Sequence, residues 1–249
     1  MKTVMITGCS SGFGLETAQY FLAQGWKVIA TMRKPDDAVL PPAENLQVLP
    51  LDVTSEESIK QAVEAAGEID VLVNNAGIGW INAVEATSMD IVRQIFETNT
   101  FGTIALTQAF LPQFRARKSG VVINVTSSVT LKPLLMLAVY SASKAAVNAF
   151  TDSLALELAP FNVQARVVLP GRAPTTKFGQ NARVLIHNNG GFHDAYNDQI
   201  QNVFANFEQE PVDMLTYSED VAKAVWQAAT DPNCPTRLPA GADAVALSK

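Results

Sequence analysis

Thr3-Val4-Met5-Ile6-Thr7-Gly8-Cys9-Ser10-Ser11-Gly12-Phe13-Gly14 is the stretch that decides the fold. Its first five residues are β-branched or apolar and read as a strand. A turn with three glycines follows, and then a segment of helical period that Gly25 closes. Glycines at such a strand-to-helix turn let the backbone approach a pyrophosphate, whose charge the helix N-terminus favours. The spacing is Gly-x3-Gly-x-Gly, which differs from the Gly-x-Gly-x2-Gly fingerprint of many dinucleotide sites.

The same alternation continues outward from this stretch. Residues 27–32 (KVIATM), 46–52 (LQVLPLD), 69–75 (IDVLVNN), 120–127 (GVVINVTS) and 163–170 (VQARVVLP) read as further strands. Between them lie helical segments. One is introduced by Thr54 with Glu57 three residues on, a capping box, and carries the apolar stripe Ile59, Ala62, Val63, Ala66. Residues 88–116 read as one or two helices, and 140–159 as another. A helix over 218–229, begun by Ser218, Glu219 and Asp220, precedes a short C-terminal strand or turn. Strands alternating with helices predict βαβ units, hence an α/β, doubly wound, mostly parallel sheet of about seven strands with helices on both faces. No linker or break in composition appears before residue 171, so one domain over residues 1–249 is expected. The pattern loosens over 171–216, which reads as an insertion with one or two short helices.

Composition narrows the function. The chain has 249 residues, 48% hydrophobic and 17% charged, and a net charge of −6, which disfavours nucleic acid as a partner. No apolar run reaches the ~18 residues needed to cross a bilayer, and the N-terminus reads directly as a strand. Cys9 and Cys234 form neither a disulfide framework nor a zinc motif, and the two histidines, His187 and His193, share one late region. A metal site is not expected, and a cytoplasmic location is.

The other candidate sites fall at strand ends. The second strand ends in Thr31-Met32-Arg33-Lys34, with no carboxylate before Asp36. A ribose-binding acid is therefore missing, and Arg33, helped by Ser11, suits a 2′-phosphate, so NADP(H) is the expected coenzyme. Asp52, in Leu51-Asp52-Val53, could meet an adenine amino group or cap the next helix. Asn74-Asn75-Ala76-Gly77 ends the fourth strand at the same edge, where ligands of open α/β sheets bind. Tyr140 and Lys144 stand at i and i+4 at the head of an alanine-rich helix and share a face. A free phenol titrates near ~10. One positive charge at ~4.5 Å supplies the ~3–4 kcal/mol needed to bring it toward neutrality. Ser127 lies thirteen residues before Tyr140.

Taken together, TGCSSGFG, LDV, NNAG, Asn99, NVTS with YSASK, and PGRAPT resemble the short-chain dehydrogenase/reductase family over roughly residues 3–175. The TGCSSG and ATMR segments are similar to its NADP-preferring carbonyl and hydroxysteroid reductases. The resemblance implies a Rossmann-like domain and a catalytic tetrad of Asn99, Ser127, Tyr140 and Lys144, with Ser128 competing for the hydroxyl role. Ser127 would hold the substrate oxygen while Tyr140 passes it a proton. Lys144 would lower the tyrosine pKa and hold the nicotinamide ribose, and Asn99 would support a water through local helix geometry. Gly8, Ser10, Ser11, Gly12, Phe13, Gly14, Arg33, Asp52, Val53, Asn75, Ala76 and Gly77 would line the coenzyme, with Pro170, Gly171 and Thr175 on the nicotinamide side. Arg172, unusual there, would face solvent or a polar substrate group.

Trp80, Val129, Met136, Phe178 and Phe192 join Ser127 and Tyr140 as candidate pocket residues, which suggests an apolar ketone or secondary alcohol. Gly190-Gly191 could hinge a lid. Ala142, Ala145, Ala146 and Ala149 leave a smooth helix face, and the family commonly pairs this helix across a dimer axis, so a homodimer or homotetramer is expected. The leading reading is reversible NADPH-dependent ketone reduction. Its competitors are a coenzyme-binding sensor or scaffold without turnover, which should break the Tyr/Lys pair, and a non-redox dehalogenase, which should lose the glycine turn.

Overall fold

A computed structural model describes residues 1–36, 38–40 and 42–249. Seven parallel strands form one sheet in the order β3-β2-β1-β4-β5-β6-β7. They are β1 (Thr3–Thr7), β2 (Lys27–Met32), β3 (Leu46–Pro50), β4 (Val71–Asn74), β5 (Gly120–Val125), β6 (Val163–Pro170) and β7 (Arg237–Ala240). The C-terminal strand-or-turn is thus a strand, and the sheet is wholly rather than mostly parallel.

Alternation along the strands explains the two layers. Val4 and Ile6 of β1 and Val71 and Val73 of β4 face a core shared with α1 (Gly12–Ala23) and α8 (Ser218–Thr230). There Phe21, Trp26 and Trp226 pack edge to face at 5.0–5.5 Å between ring centroids. Met5, Leu72 and Val122 face the other side, against α2 (Glu56–Ala66), α4 (Gly102–Arg117) and α5 (Ala138–Leu158). Strands buried on both faces are near-continuous apolar runs, and buried exceptions here such as Asn74, Asn124 and Arg166 are each hydrogen-bonded.

Some boundaries differ from the sequence reading. Ser55, not Thr54, caps α2, accepting the Ser58 amide at 3.2 Å. Thr54 is diverted, because its amide and hydroxyl both donate to Asp52, at 3.0 and 2.7 Å. The cap of α8 is Tyr217, whose amide donates to Asp220 at 2.9 Å. Residues 88–116 form α3 (Met89–Phe96) and α4, joined by one wide π-helical turn over Glu97–Phe101. The segment after β6 holds α6 (Phe178–Asn188) and α7 (Asn197–Gln209), and α9 (Ala242–Leu247) ends the chain. Strand order reverses at β1, which pairs β2 on one side and β4 on the other, and this opens a crevice at the strands' C-terminal ends.

Candidate active site

At that crevice Thr7 stitches two loops together. Its hydroxyl accepts the amides of Asn75 and Ala76, both at 2.9 Å, and the Asn75 side chain donates to the Thr7 carbonyl at 2.8 Å. Asn75 is therefore a clamp on the glycine turn. A Cβ on Gly14 would sit 2.4 Å from the Gly8 carbonyl oxygen, so only glycine lets the turn fold back on α1. Ser11 occupies the N-cap position, yet its hydroxyl makes no capping hydrogen bond, so it and the first amides of α1 are available to an anion. Ser10 is exposed beside it, and the ring of Phe13 packs on the core, leaving its backbone toward the turn. Cys9 is structural: its amide donates to Thr31, and burial pushes its thiol up to about 12.

Arg33 is exposed just beyond β2, near enough to Asp52 for its charge to act there. The Thr54 amide and hydroxyl hold the Asp52 carboxyl below the usual range, and Arg33 adds to this. Val53 backs onto Gly102, where a Cβ would lie 2.7 Å from the Val53 carbonyl oxygen. This cradle, with a free N-cap hydroxyl at the glycine turn and a cation beyond the second strand, fits a dinucleotide.

The four tetrad candidates converge. Tyr140 and Lys144 both point to the buried side of α5, at 7% and 5% exposure. Ser127 caps a short 3-10 turn, its hydroxyl accepting the Val129 amide at 3.3 Å, and it lies near enough to the Tyr140 phenol to pull its pKa down. Asn99 sits in the π turn, where its side chain accepts the Ile78 amide at 2.8 Å and donates to the Ile78 carbonyl at 3.0 Å. Gly77 lies between Asn99 and Lys144: a Cβ there would meet Asn99 Oδ1 at 3.2 Å and Lys144 Nζ at 3.3 Å. Ser143, which the sequence reading missed, ties the group together. Its hydroxyl donates to the Tyr140 carbonyl and accepts from Asn99 Nδ2 at 3.1 Å. Its i+3 offset from Tyr140 is the signal that could have found it.

The expected electrostatic pairing is not what this geometry contains. The Lys144 ammonium donates to the Val125 carbonyl at 3.1 Å, while the phenol contacts Ser127. Burial pushes Tyr140 up to about 12, against the pull of the Ser127 hydrogen bond, and drives Lys144 down to about 8. The phenol is thus a protonated donor at neutrality. Its acidity is governed by desolvation, with the Ser127 hydroxyl pulling the other way.

At the loop after the sixth strand, Pro170 ends β6 and Gly171 donates its amide to Thr216 Oγ1 at 3.0 Å. A Cβ on Gly171 would fall 1.9 Å from Asp243 Oδ1, so this position needs glycine for close approach. Thr175 is exposed in a turn. Thr176 is the buried neighbour, 3.4 Å from the Cβ position of Gly12, and sequence reasoning missed it because the two threonines are adjacent. Arg172 neither faces open solvent nor stands free for a polar substrate: its guanidinium binds Glu210 and the Phe207 carbonyl.

The pocket candidates gather in two small clusters apart from the main core. Trp80, Val129, Tyr140 and Phe192 share one with Ile186, and Met136 and Phe192 share the next with Ile200 and Val203. Trp80 is wholly buried, its indole N–H on Thr87 at 2.9 Å, so it backs the cluster rather than facing a ligand. Phe178, 40% exposed, lies 6.0 Å from the Tyr140 ring. Among the described residues no cluster of three or more His, Cys, Asp or Glu suits a metal ion, and no helix is long and apolar enough to cross a membrane.

Residues 2–184 match the model of the family described as short chain dehydrogenase. Retinol dehydrogenase 8 of Bos taurus is 35% identical, over 90% of this chain and 76% of its own. The crystal structure of a short-chain dehydrogenase from Streptomyces avermitilis superposes with a TM-score of 0.84 and 33% identity, covering 100% of this chain and 92% of that one. The closed form of a serine dehydrogenase complexed with NADP+ gives a TM-score of 0.78 and 28% identity, covering 95% and 93%. With this fold, these strand-end loops and these relatives, the chain belongs to the short-chain dehydrogenase/reductase family of oxidoreductases.

Proposed function

We propose that the protein reduces an apolar ketone to a secondary alcohol with NADPH, reversibly, using Tyr140 as the general acid. The observation that carries this reading is the convergence of Ser127, Tyr140 and Lys144, all buried, at the sheet's lip beside Asn99. The dinucleotide, when bound, supplies the hydride. Ser127 holds the substrate oxygen, and Tyr140 gives its Oη proton to that oxygen as negative charge develops there. Lys144, beneath Gly77 and beside Asn99, stands where it can restore a proton to the phenolate and hold a ribose hydroxyl. Asn99 keeps the Ile78 backbone and the π turn in place.

Arg33 at the end of β2, with Ser11 in the turn, favours NADP(H) over NAD(H). The NADP+ complex of the serine dehydrogenase neighbour accords with that choice. The apolar clusters around Tyr140 favour an apolar substrate, as does a relative named for retinol. Unpaired Cys9 and Cys234 accord with a cytoplasmic setting. The exposed row Ala142, Ala145 and Ala149 on α5, with Leu156 beyond it, suits a homodimer or homotetramer.

Tyr140→Phe tests the mechanism. NADPH affinity, read by fluorescence, should stay within about threefold, while NADPH oxidation with a panel of aliphatic, aryl, keto-ester and steroid ketones falls ~10³-fold, within the range of general acid catalysis. Turnover at the wild-type rate would defeat the proposal, and a wild-type protein that binds NADPH but reduces none of the panel would favour a sensor.

A further inference from the structure

Arg172 joins two parts of the molecule, the sheet's lip and the segment that packs over Tyr140. Its backbone belongs to the sheet's lip: the amide donates to Asp243 Oδ2 at 2.6 Å, and the carbonyl accepts the Thr216 amide at 3.0 Å. Its side chain belongs to the far end of α7. Nε donates to Glu210, Nη2 donates to the Phe207 carbonyl at 2.6 Å, and the guanidinium lies 5.1 Å from the Phe207 ring centroid. Both members of the ion pair are about a quarter exposed, so it is shielded yet reachable.

The segment it holds covers the chemistry. Phe178, which opens α6, packs on the Tyr140 ring and on Gly79, where a Cβ would meet the ring at 2.7 Å. Thr176 packs on Gly12. The opposite end of the α6–α7 hairpin has room to bend. Gly190 and Gly191 have φ of +94° and +71°, nothing lies within 4 Å of either Cβ position, and an open depression of about 390 Å³ adjoins them. A side-chain tie also crosses there, from Asn82 Nδ2 to the Gly191 carbonyl at 2.9 Å.

We propose that Arg172 is a positioning residue that latches the 178–210 lid over Tyr140 by clamping the end of α7 to the Gly171 turn. The assignment rests on the ketone-reductase reading above for its kinetic consequence, though not for the latch itself. A lid held at one end by a shielded ion pair and hinged at the other opens by breaking that pair. Weakening the latch therefore populates the open form and loosens substrate binding more than it slows the chemical step.

The experiment uses Arg172→Met and Glu210→Gln in the full chain. The Arg172→Met variant keeps the backbone bonds to Asp243 and Thr216, and Glu210→Gln leaves Arg172 intact and removes only the charge at the C-terminal end of α7. Both should raise KM for the ketone about fivefold with kcat within twofold. Both should also speed tryptic cleavage after Arg183, a site on α6, about fivefold. Arg172→Lys, which can reach Glu210 but not also Phe207, should fall between. Raising NaCl to 0.5 M should speed cleavage of the wild type and leave Glu210→Gln unaffected. Unchanged cleavage in both variants overturns the latch, as does a fall in kcat at constant KM. If the wild type turns over no ketone, the function proposed above fails, while the cleavage measurement, which needs no substrate, still decides the latch.

Discussion

Lys144 sets stability against chemistry within one side chain. Burial lowers its pKa from 10.5 to about 8, so at neutral pH the fold keeps a charge it would rather release. At 1.36 kcal/mol per unit this costs about 3 kcal/mol. Between about pH 8 and 10.5 the unfolded chain binds more protons at this site than the folded one, so the penalty is relieved as pH rises through that window. Tyr140 has the opposite sign: its folded pKa of about 12 lies above the unfolded 10, and stability is lost as pH climbs from 10 to 12. Lys144→Met keeps the length of the chain and removes the charge, while leaving the Val125 carbonyl without its donor, an offset of about 1–2 kcal/mol. We expect ketone reduction to fall ~10³-fold and Tm to rise by about 3–6 °C at pH 7. A lower Tm in calorimetry would show that Lys144 is stabilised by its surroundings, against the desolvation argument.

At the scale of elements, glycines separate the turn that binds from the turns that only reverse the chain. Gly14 lies inside α1 with the Gly8 carbonyl against it, whereas Gly25 ends α1 at φ +76° with nothing within 4 Å of its Cβ position. Gly14→Ala should therefore push the β1–α1 turn outward, lowering NADPH affinity more than ~100-fold and costing about 1–3 kcal/mol of overpacking. Gly25→Ala should cost only the ~1–2 kcal/mol of a left-handed residue and leave coenzyme affinity alone. Equal losses of affinity in titrations of the two would refute the cradle. These elements were legible from sequence because the inner strands, buried on both faces, are runs of mostly β-branched and apolar residues, and the turns after them carry glycine. Helix caps were less legible. Thr54 and Ser55 are both good caps, and the choice was made by Asp52, which takes both polar groups of Thr54. Spacing paired Tyr140 with Lys144 and the family resemblance implied the other two members of the tetrad, but neither gave its electrostatics. What surrounds Tyr140 and Lys144 arrives from Trp80, Phe178 and Val125 on other elements, and burial by those residues sets both pKa values. The partners of Arg172, from Phe207 to Asp243, are equally remote in sequence.

For the whole molecule, α5 must serve two masters along its length. Its inner side, from Tyr140 through Ser143, Lys144, Val147, Thr151 and Leu154 to Leu158, is committed to the site and the core. Its outer side, which a monomer would furnish with charge, instead carries Ala138, Ala142, Ala145 and Ala149, ending at Leu156 with 78% exposure. Phe101, at the mouth of the neighbouring α4, is 53% exposed as well. Small residues in a row let two helices approach closely, and the terminal apolar side chains gain by being covered. A second copy of this chain satisfies both conditions by symmetry, since a two-fold axis sets the same row against itself. Because Tyr140 and Lys144 lie on the reverse of that row, dimerisation would also stiffen the helix that carries the acid. The expected mass by sedimentation is therefore twice 26.7 kDa or a higher even multiple. Ala145→Arg, which places a charge at the middle of the row, should dissociate the assembly to monomers and reduce kcat severalfold while leaving the fold's circular dichroism unchanged. A wild-type chain that sediments as a monomer would mean that the smooth face of α5 has another purpose.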